Sequence, residues 1–175
     1  MLRELKPAFV ILSLGTDWEA FTPTGTVSTQ FDLLRASAYP ILVVDDNEGI
    51  CILISRMLSN MGFRSIYIAN SAKQAYEIFG AKIAESPEDP IIFLDLRLPD
   101  VPGEKVAKKI IEIRPSSRII LVTAEDSSAE SAQEAMRQGA VAYIQKPIGL
   151  AKIRNVLVSI LVEIEAEDKK REKGI

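Results

Sequence analysis

The chain has 175 residues, 47% of them hydrophobic and 26% charged, which describes a globular protein with room for one full core. Its net charge is −3 and no basic block precedes the C-terminal tail, so nucleic acid finds little electrostatic footing and no direct DNA binding is expected. There is no histidine, which excludes Ser-His-Asp and Cys-His catalysis, and no apolar run approaches the roughly 20 residues that a membrane span needs.

Residues 1 to 39 differ from the rest. The short apolar run AFVILSL is followed by TPTGTVSTQ, a loop-like stretch with Pro23 and Gly25. The apolar part is too short for a secretory signal and Glu4 interrupts its basic region. This segment is read as a flexible extension of unknown role, and a cytoplasmic location is expected.

From Pro40 the pattern becomes regular. ILVV (41–44) is an apolar strand that runs into Asp45 and Asp46. A helix follows with Ile50, Leu53, Ile54, Met57, Leu58 and Met61 on one face, and Gly62 stands where a C-cap glycine belongs. Cys51 in that helix cannot form an internal disulfide and reads as a small buried hydrophobe. FRSIYIA (63–69) is a second strand. Ser71 is an N-cap for a helix carrying Ala75, Ile78, Phe79 and Ile83, and SPEDP (86–90) breaks the chain.

The third strand, IIFL, ends in Asp95. A helix over about 103–113, the strand RIILVT (118–123), a helix around 128–138 ending at Gly139 and the strand VAYIQ (141–145) come next. A long last helix begins near Leu150, with a core stripe of Leu150, Ile153, Leu157, Ile160, Leu161 and Ile164. Ala151, Val158 and Val162 fall on another face, which could meet a partner or a second copy. AEDKKREKGI reads as a charged, solvated tail over 166–175.

Strands alternate with helices, and several strands are apolar without polar alternation. That pattern predicts a parallel sheet covered on both faces, in a doubly wound α/β domain over residues 40–165. Ligands of such a sheet gather beyond the carboxyl ends of the strands. Asp45 and Asp46 close the first strand, Asp95 the third, Thr123 the fourth and Lys146 the fifth. Carboxylates crowded together resist ionising together, and an oxygen-only donor set points to Mg²⁺. Lys146 and Thr123 suit phosphoryl oxygens, and a carboxylate can serve as nucleophile to form an aspartyl phosphate. Taken singly, Asp46 reads equally well as an N-cap, Thr123 as a strand residue and Lys146 as a solvated charge. Their combination at four strand ends is what points to a site.

VVDDNE, FLDLRLPDVPG, LVTA and YIQKP resemble the receiver domains of two-component response regulators, over about residues 40 to 165. The resemblance implies a flavodoxin-like, CheY-like five-stranded sheet of order 2-1-3-4-5. It implies that Asp95 accepts a phosphoryl group from a sensor histidine kinase or a histidine phosphotransfer protein. Asp46, Asp95 and the backbone carbonyl of Arg97 would bind Mg²⁺ directly, and Asp45 through a water. Thr123 and Lys146 would hold phosphoryl oxygens, Thr123 and Tyr143 would form the switch, and the Lys146–Pro147 bond would be cis. Arg97 and Glu125 flank the path of attacking water in the family, so they are expected to pair and lengthen the phosphoryl lifetime. Two departures stand out. Leu98 replaces a frequent Met, and the interval from Asp46 to Asp95 is long, which AKIAESPEDP would account for.

The expected function is therefore a stand-alone phosphorylation-controlled module and not an enzyme. It would signal to a downstream protein target or in a relay, through the face of the last two helices and strand five. A Mg²⁺-dependent aspartyl-phosphate phosphatase is the alternative, but its second Asp two residues after the nucleophile is here Arg97. A nucleotide-binding domain fits worse, because DDNEGI has one glycine and two acids where phosphates would sit. An unphosphorylated receiver-like scaffold is the remaining option.

Overall fold

The computed structural model describes residues 38–124, 136–137, 139–172 and 174. In chain order the elements are β1 (Ile41–Val44), α1 (Glu48–Asn60), β2 (Ile66–Ala69), α2 (Ala72–Ile78), β3 (Ile91–Asp95), α3 (Gly103–Ile113), β4 (Arg118–Thr123), β5 (Ala140–Gln145) and α4 (Leu150–Glu172). The helix expected around 128–138 lies outside the described residues except at 136 and 137, which are helical.

The strands form one parallel sheet in the order β2-β1-β3-β4-β5. β1 and β3 are buried at every residue, which is why their sequences are continuously apolar. Alternate side chains feed two separate cores. Ile41, Val43 and Phe93 face Ile54, Leu58, Ile153 and Leu157, so α1 and α4 cover one side. Leu42, Val44 and Leu94 face Ala75, Val106 and Ile110, so α2 and α3 cover the other.

Several helix faces depart from the expected ones. In α1 it is Cys51, Ile54 and Leu58 that are buried, while Leu53 is exposed together with Ile52. The core face is thus rotated toward Cys51, which packs under the end of β1. In α4, Leu150 is exposed and Val156 is buried in its stead, so the core face runs through Ile153, Val156, Leu157, Ile160 and Ile164. α1 is capped by Asn47, whose side chain accepts the N–H of Ile50, and Asp46 is not the cap. Gly62 follows the end of α1 with φ +97°, a left-handed conformation that glycine adopts without strain.

The long Asp46–Asp95 interval is accommodated after α2. Phe79–Ile83 forms a π-helical turn, closed by the N–H of Ala84 on the carbonyl of Phe79 at 2.8 Å. The connection to β3 is then held by Arg114, whose guanidinium donates to the carbonyls of Ala84 (2.9 Å), Ser86 (2.6 Å) and Glu88 (3.0 Å). This clamp sits at the amino ends of the strands. The carboxyl ends are left to the site.

Candidate functional site

Val44 pairs with Leu94 in the sheet, so the residues that follow, Asp45 and Asp95, leave adjacent strands side by side. Both are almost fully buried, and Asp46 beside them is exposed. Ligand oxygens of Asp45, Asp46 and Asp95 all lie within 4.8 Å of one another.

Asp45 and Asp95 repeat one local geometry. Each uses Oδ1 to accept the backbone N–H two residues on, Asn47 for the first and Arg97 for the second, both at 2.9 Å. This Asx turn ends the strand and fixes the carboxylate's direction. Each then offers Oδ2 to the same ammonium: Lys146 Nζ stands 2.8 Å from Asp45 and 2.7 Å from Asp95.

Lys146 reaches the pair from β5 across two strands. Its backbone N–H donates to the carbonyl of Thr123 at 2.7 Å, which ties the ends of β4 and β5 together. The Lys146–Pro147 peptide is cis. Thr123 is buried at the end of β4, opposite Gln145. Tyr143 lies opposite Leu121, half-buried, and packs against the α2–α3 side of the core. The Arg97 side chain is exposed, and Glu125 lies outside the described residues.

Burial sets the electrostatics. Loss of solvent pushes the Asp45 carboxyl up from its usual range, and the charge of Asp95 adds to that, against the hydrogen bonds from Lys146 and Asn47. Burial alone would lower the Lys146 ammonium, yet its hydrogen bonds to Asp45 and Asp95 hold it above its ordinary value. Lys146 is therefore a fixed cation. Two buried carboxylates and an exposed third still exceed one ammonium in charge, and the donors are all oxygen. That set fits a hard divalent cation with room for water on the Asp46 side.

Cys51, read from the sequence only as a small buried hydrophobe, and Asn70 and Gly103, which the sequence did not single out, support this arrangement. Cys51 donates its thiol to the Asp45 carbonyl at 3.3 Å, and Asn70 Nδ2 donates to the same oxygen at 3.1 Å. Burial, followed by the Asp45 charge, pushes the Cys51 thiol up to about 11, so it is a donor and not a nucleophile. Gly103 opens α3 directly against the end of β3: its N–H donates to Leu96 O at 3.0 Å, and a Cβ there would collide with the Asp95 carbonyl oxygen. The PG pair before the helix was the available signal.

Comparison with known proteins agrees with this geometry. The family model described as response regulator receiver domain matches residues 41–158. The chain belongs to the response regulator receiver family. The transcriptional regulatory protein ZraR of Klebsiella oxytoca is 33% identical over 121 residues, 69% of this chain and 26% of that one. Sporulation initiation phosphotransferase F of Bacillus subtilis is 30% identical over 121 residues, 69% of this chain and 92% of that one. A crystal structure of a Burkholderia pseudomallei response regulator protein, with a phosphorylated aspartic acid, calcium ion and citrate, superposes with a TM-score of 0.60. It is 27% identical and covers 74% of this chain and 72% of that one. The chain thus spans about a quarter of the first relative's length and nearly all of the second's. The expectation of no direct DNA binding draws no support from a relative named as a transcriptional regulator. Among the described residues of this receiver domain, no helix is long and apolar enough to cross a membrane.

Proposed function

We propose that this receiver takes a phosphoryl group onto Asp95 from a phosphohistidine of a sensor histidine kinase or histidine phosphotransfer protein, in a Mg²⁺-dependent step. One observation carries the reading: the buried Asp95 carboxylate, 2.7 Å from Lys146 Nζ, shares a 4.8 Å cluster with Asp45 and Asp46. The Burkholderia response regulator, with its phosphorylated aspartic acid and calcium ion, supports it.

A carboxylate oxygen of Asp95 forms the new O–P bond as the donor P–N bond breaks. The imidazole leaves with that electron pair and takes a proton from water. Asp46, Asp95 and the Arg97 carbonyl would hold Mg²⁺ directly, and Asp45 through a water. The ion supplies charge neutralisation for the phosphoryl oxygens. Lys146 and the Thr123 hydroxyl supply the remaining positive and donor groups. Movement of Thr123 toward the phosphoryl group opens space for Tyr143, and the face of β5 with the last two helices changes for a partner. Arg97 pairing with Glu125 slows hydrolysis.

The output is docking to a downstream protein or onward transfer in a relay, and the name of the Bacillus relative favours the relay. The name of the Klebsiella relative favours transcriptional control instead. Ala151 and Val162 are exposed and Val158 half-buried on α4, a face available for self-association. The receiver is taken to span residues 40–165, in the cytoplasm.

Intact mass after incubation with Mg²⁺ and acetyl phosphate, wild type beside Asp95→Asn, tests the central step. One phosphoryl group that requires both Mg²⁺ and Asp95 is expected. An adduct retained by Asp95→Asn would move the acceptor elsewhere.

A further inference from the structure

α4 begins with a charge in an unfavourable place. Helix N-termini attract anions, yet the first turn of α4 contains no acidic residue and carries Lys152. A lysine there repels the dipole of its own helix unless something else holds it. Two carbonyls do: Lys152 Nζ donates to Gln145 O at 3.0 Å and to Pro147 O at 3.1 Å. These are the carbonyls immediately before and after Lys146.

Residue 146 is therefore fixed on three sides. Its own N–H is spent on the Thr123 carbonyl, and its two neighbours' carbonyls converge on one ammonium from the following helix. The Lys146 side chain leaves this frame to span the distance to Asp45 and Asp95, both met at under 3 Å. A four-carbon stem has no stiffness of its own. The aim of the ammonium depends on where its backbone is held.

We propose that Lys152 is a positioning residue for Lys146, setting the placement of the ammonium that faces the phosphoryl acceptor. It does this by clamping the carbonyls of Gln145 and Pro147. The inference rests on the phosphoacceptor reading for its kinetic consequence but not for its structural one. A local departure from helix-end electrostatics is thereby explained by a service to the site.

Two measurements test it. In the metal-free protein, the ¹⁵Nζ–H resonance of Lys146 is followed by NMR in wild type, Lys152→Met and Lys152→Arg. Held between two carboxylates, it is expected to be protected from exchange in wild type, to lose that protection in Lys152→Met and to keep it in Lys152→Arg, whose fork can bridge both carbonyls. This readout does not depend on phosphorylation. Equal protection in all three overturns the proposal.

The second measurement is the maximal rate of Asp95 phosphorylation at saturating acetyl phosphate and Mg²⁺. Lys152→Met is expected to lower it about tenfold, the scale of a small misplacement of a reacting group. The same change made on a Lys146→Met background should cost nothing further, since Lys152 acts through Lys146. A loss of the same size on both backgrounds overturns the proposal. Absence of any adduct in wild type defeats the phosphoacceptor reading instead, and the resonance still decides the role of Lys152.

Discussion

The Asp100 carboxylate accepts the backbone N–H of Ala72 at 2.9 Å, although 28 residues separate them in sequence. Its other oxygen takes the N–H of Lys73, also at 2.9 Å. The loop after β3 thus caps the helix α2 that follows β2. Ser71 caps the same helix locally through the N–H of Gln74. At the other end of this short turn, Asn70 reaches the Asp45 carbonyl. Segment 70–73 therefore ties the loop behind Asp95 to the end of β1, so both halves of the acidic cluster share one brace.

Replacing Asp100 by Asn leaves one acceptor oxygen for the N–H groups of Ala72, Lys73 and Val101 and should lower the melting temperature at pH 7. The N–H groups of Ala72 and Lys73 hold the Asp100 carboxyl below its ordinary value. A carboxyl lowered by folding stabilises fully above its unfolded value and loses that contribution as pH falls through the folded one. The melting temperatures of wild type and Asp100→Asn are therefore expected to converge as pH is taken from 7 down to about 3. A gap that stays constant across that range in circular dichroism melts would sink the capping account.

Gly103→Ala should damage fold and site together. The added Cβ would collide with the Asp95 carbonyl oxygen and lie 2.7 Å from Leu96 Cα, and backbone cannot swing away as a side chain tip can. Overpacking of this kind costs about 1–3 kcal/mol. Urea denaturation should show that loss, and calorimetry should show weaker Mg²⁺ binding because the Asp95 strand end must shift. Unchanged Mg²⁺ affinity would mean that Asp95 tolerates the displacement.

Much of this was legible in the sequence, for a physical reason. A parallel strand buried on both faces must be apolar throughout, so β1, β3 and β4 announced themselves, and with them the polar residues at their ends. Helix faces were less legible. Leu53 looked like core beside Ile54, yet Cys51 holds that place because its thiol also meets the Asp45 carbonyl. Asn47 and Asp46 are both competent caps, and only the Asx turn of Asp45 on Asn47 N decides between them. The braces of Asp100, Lys152 and Arg114 bind backbone groups, which carry no side-chain signature for a pattern to reveal. The roles expected of Thr123, Tyr143 and Glu125 belong to the phosphorylated state.

Asp45→Asn separates the cost of the acidic cluster from its use. Burial and the neighbouring Asp95 both disfavour ionised Asp45, so a neutral amide of the same shape should leave the metal-free protein at least as stable as wild type at pH 7. On the proposed Mg²⁺ site, the same variant should lose the stabilisation expected of wild type, which for one site would be about 2.7 kcal/mol at a hundredfold excess over the dissociation constant. Thermal melts with EDTA and with Mg²⁺ distinguish the two effects. A variant destabilised without metal, yet still raised in melting temperature by Mg²⁺, would place the ion elsewhere.

Arg114 governs the opposite end of the sheet. Its guanidinium satisfies carbonyls of the connection between the π-helical turn and β3, and it stands 3.8 Å from Asp89, which is also 4.0 Å from Arg118. Arg118 in turn holds Glu167 on α4 at 2.7 Å. Arg114→Ala strips several carbonyls of a charged donor at once, and such bonds contribute roughly 1.5–3 kcal/mol each when unshared. Because these carbonyls share one group, the expected loss is about 3 kcal/mol rather than their sum. Lys should recover only part of it, since an ammonium lacks the planar fork that spans Ala84, Ser86 and Glu88. Urea denaturation gives the loss, and the proposed phosphorylation of Asp95 by acetyl phosphate should be unaffected, because the clamp and Asp95 lie at opposite ends of β3. A variant that keeps wild-type stability would show that the long connection holds its path without Arg114.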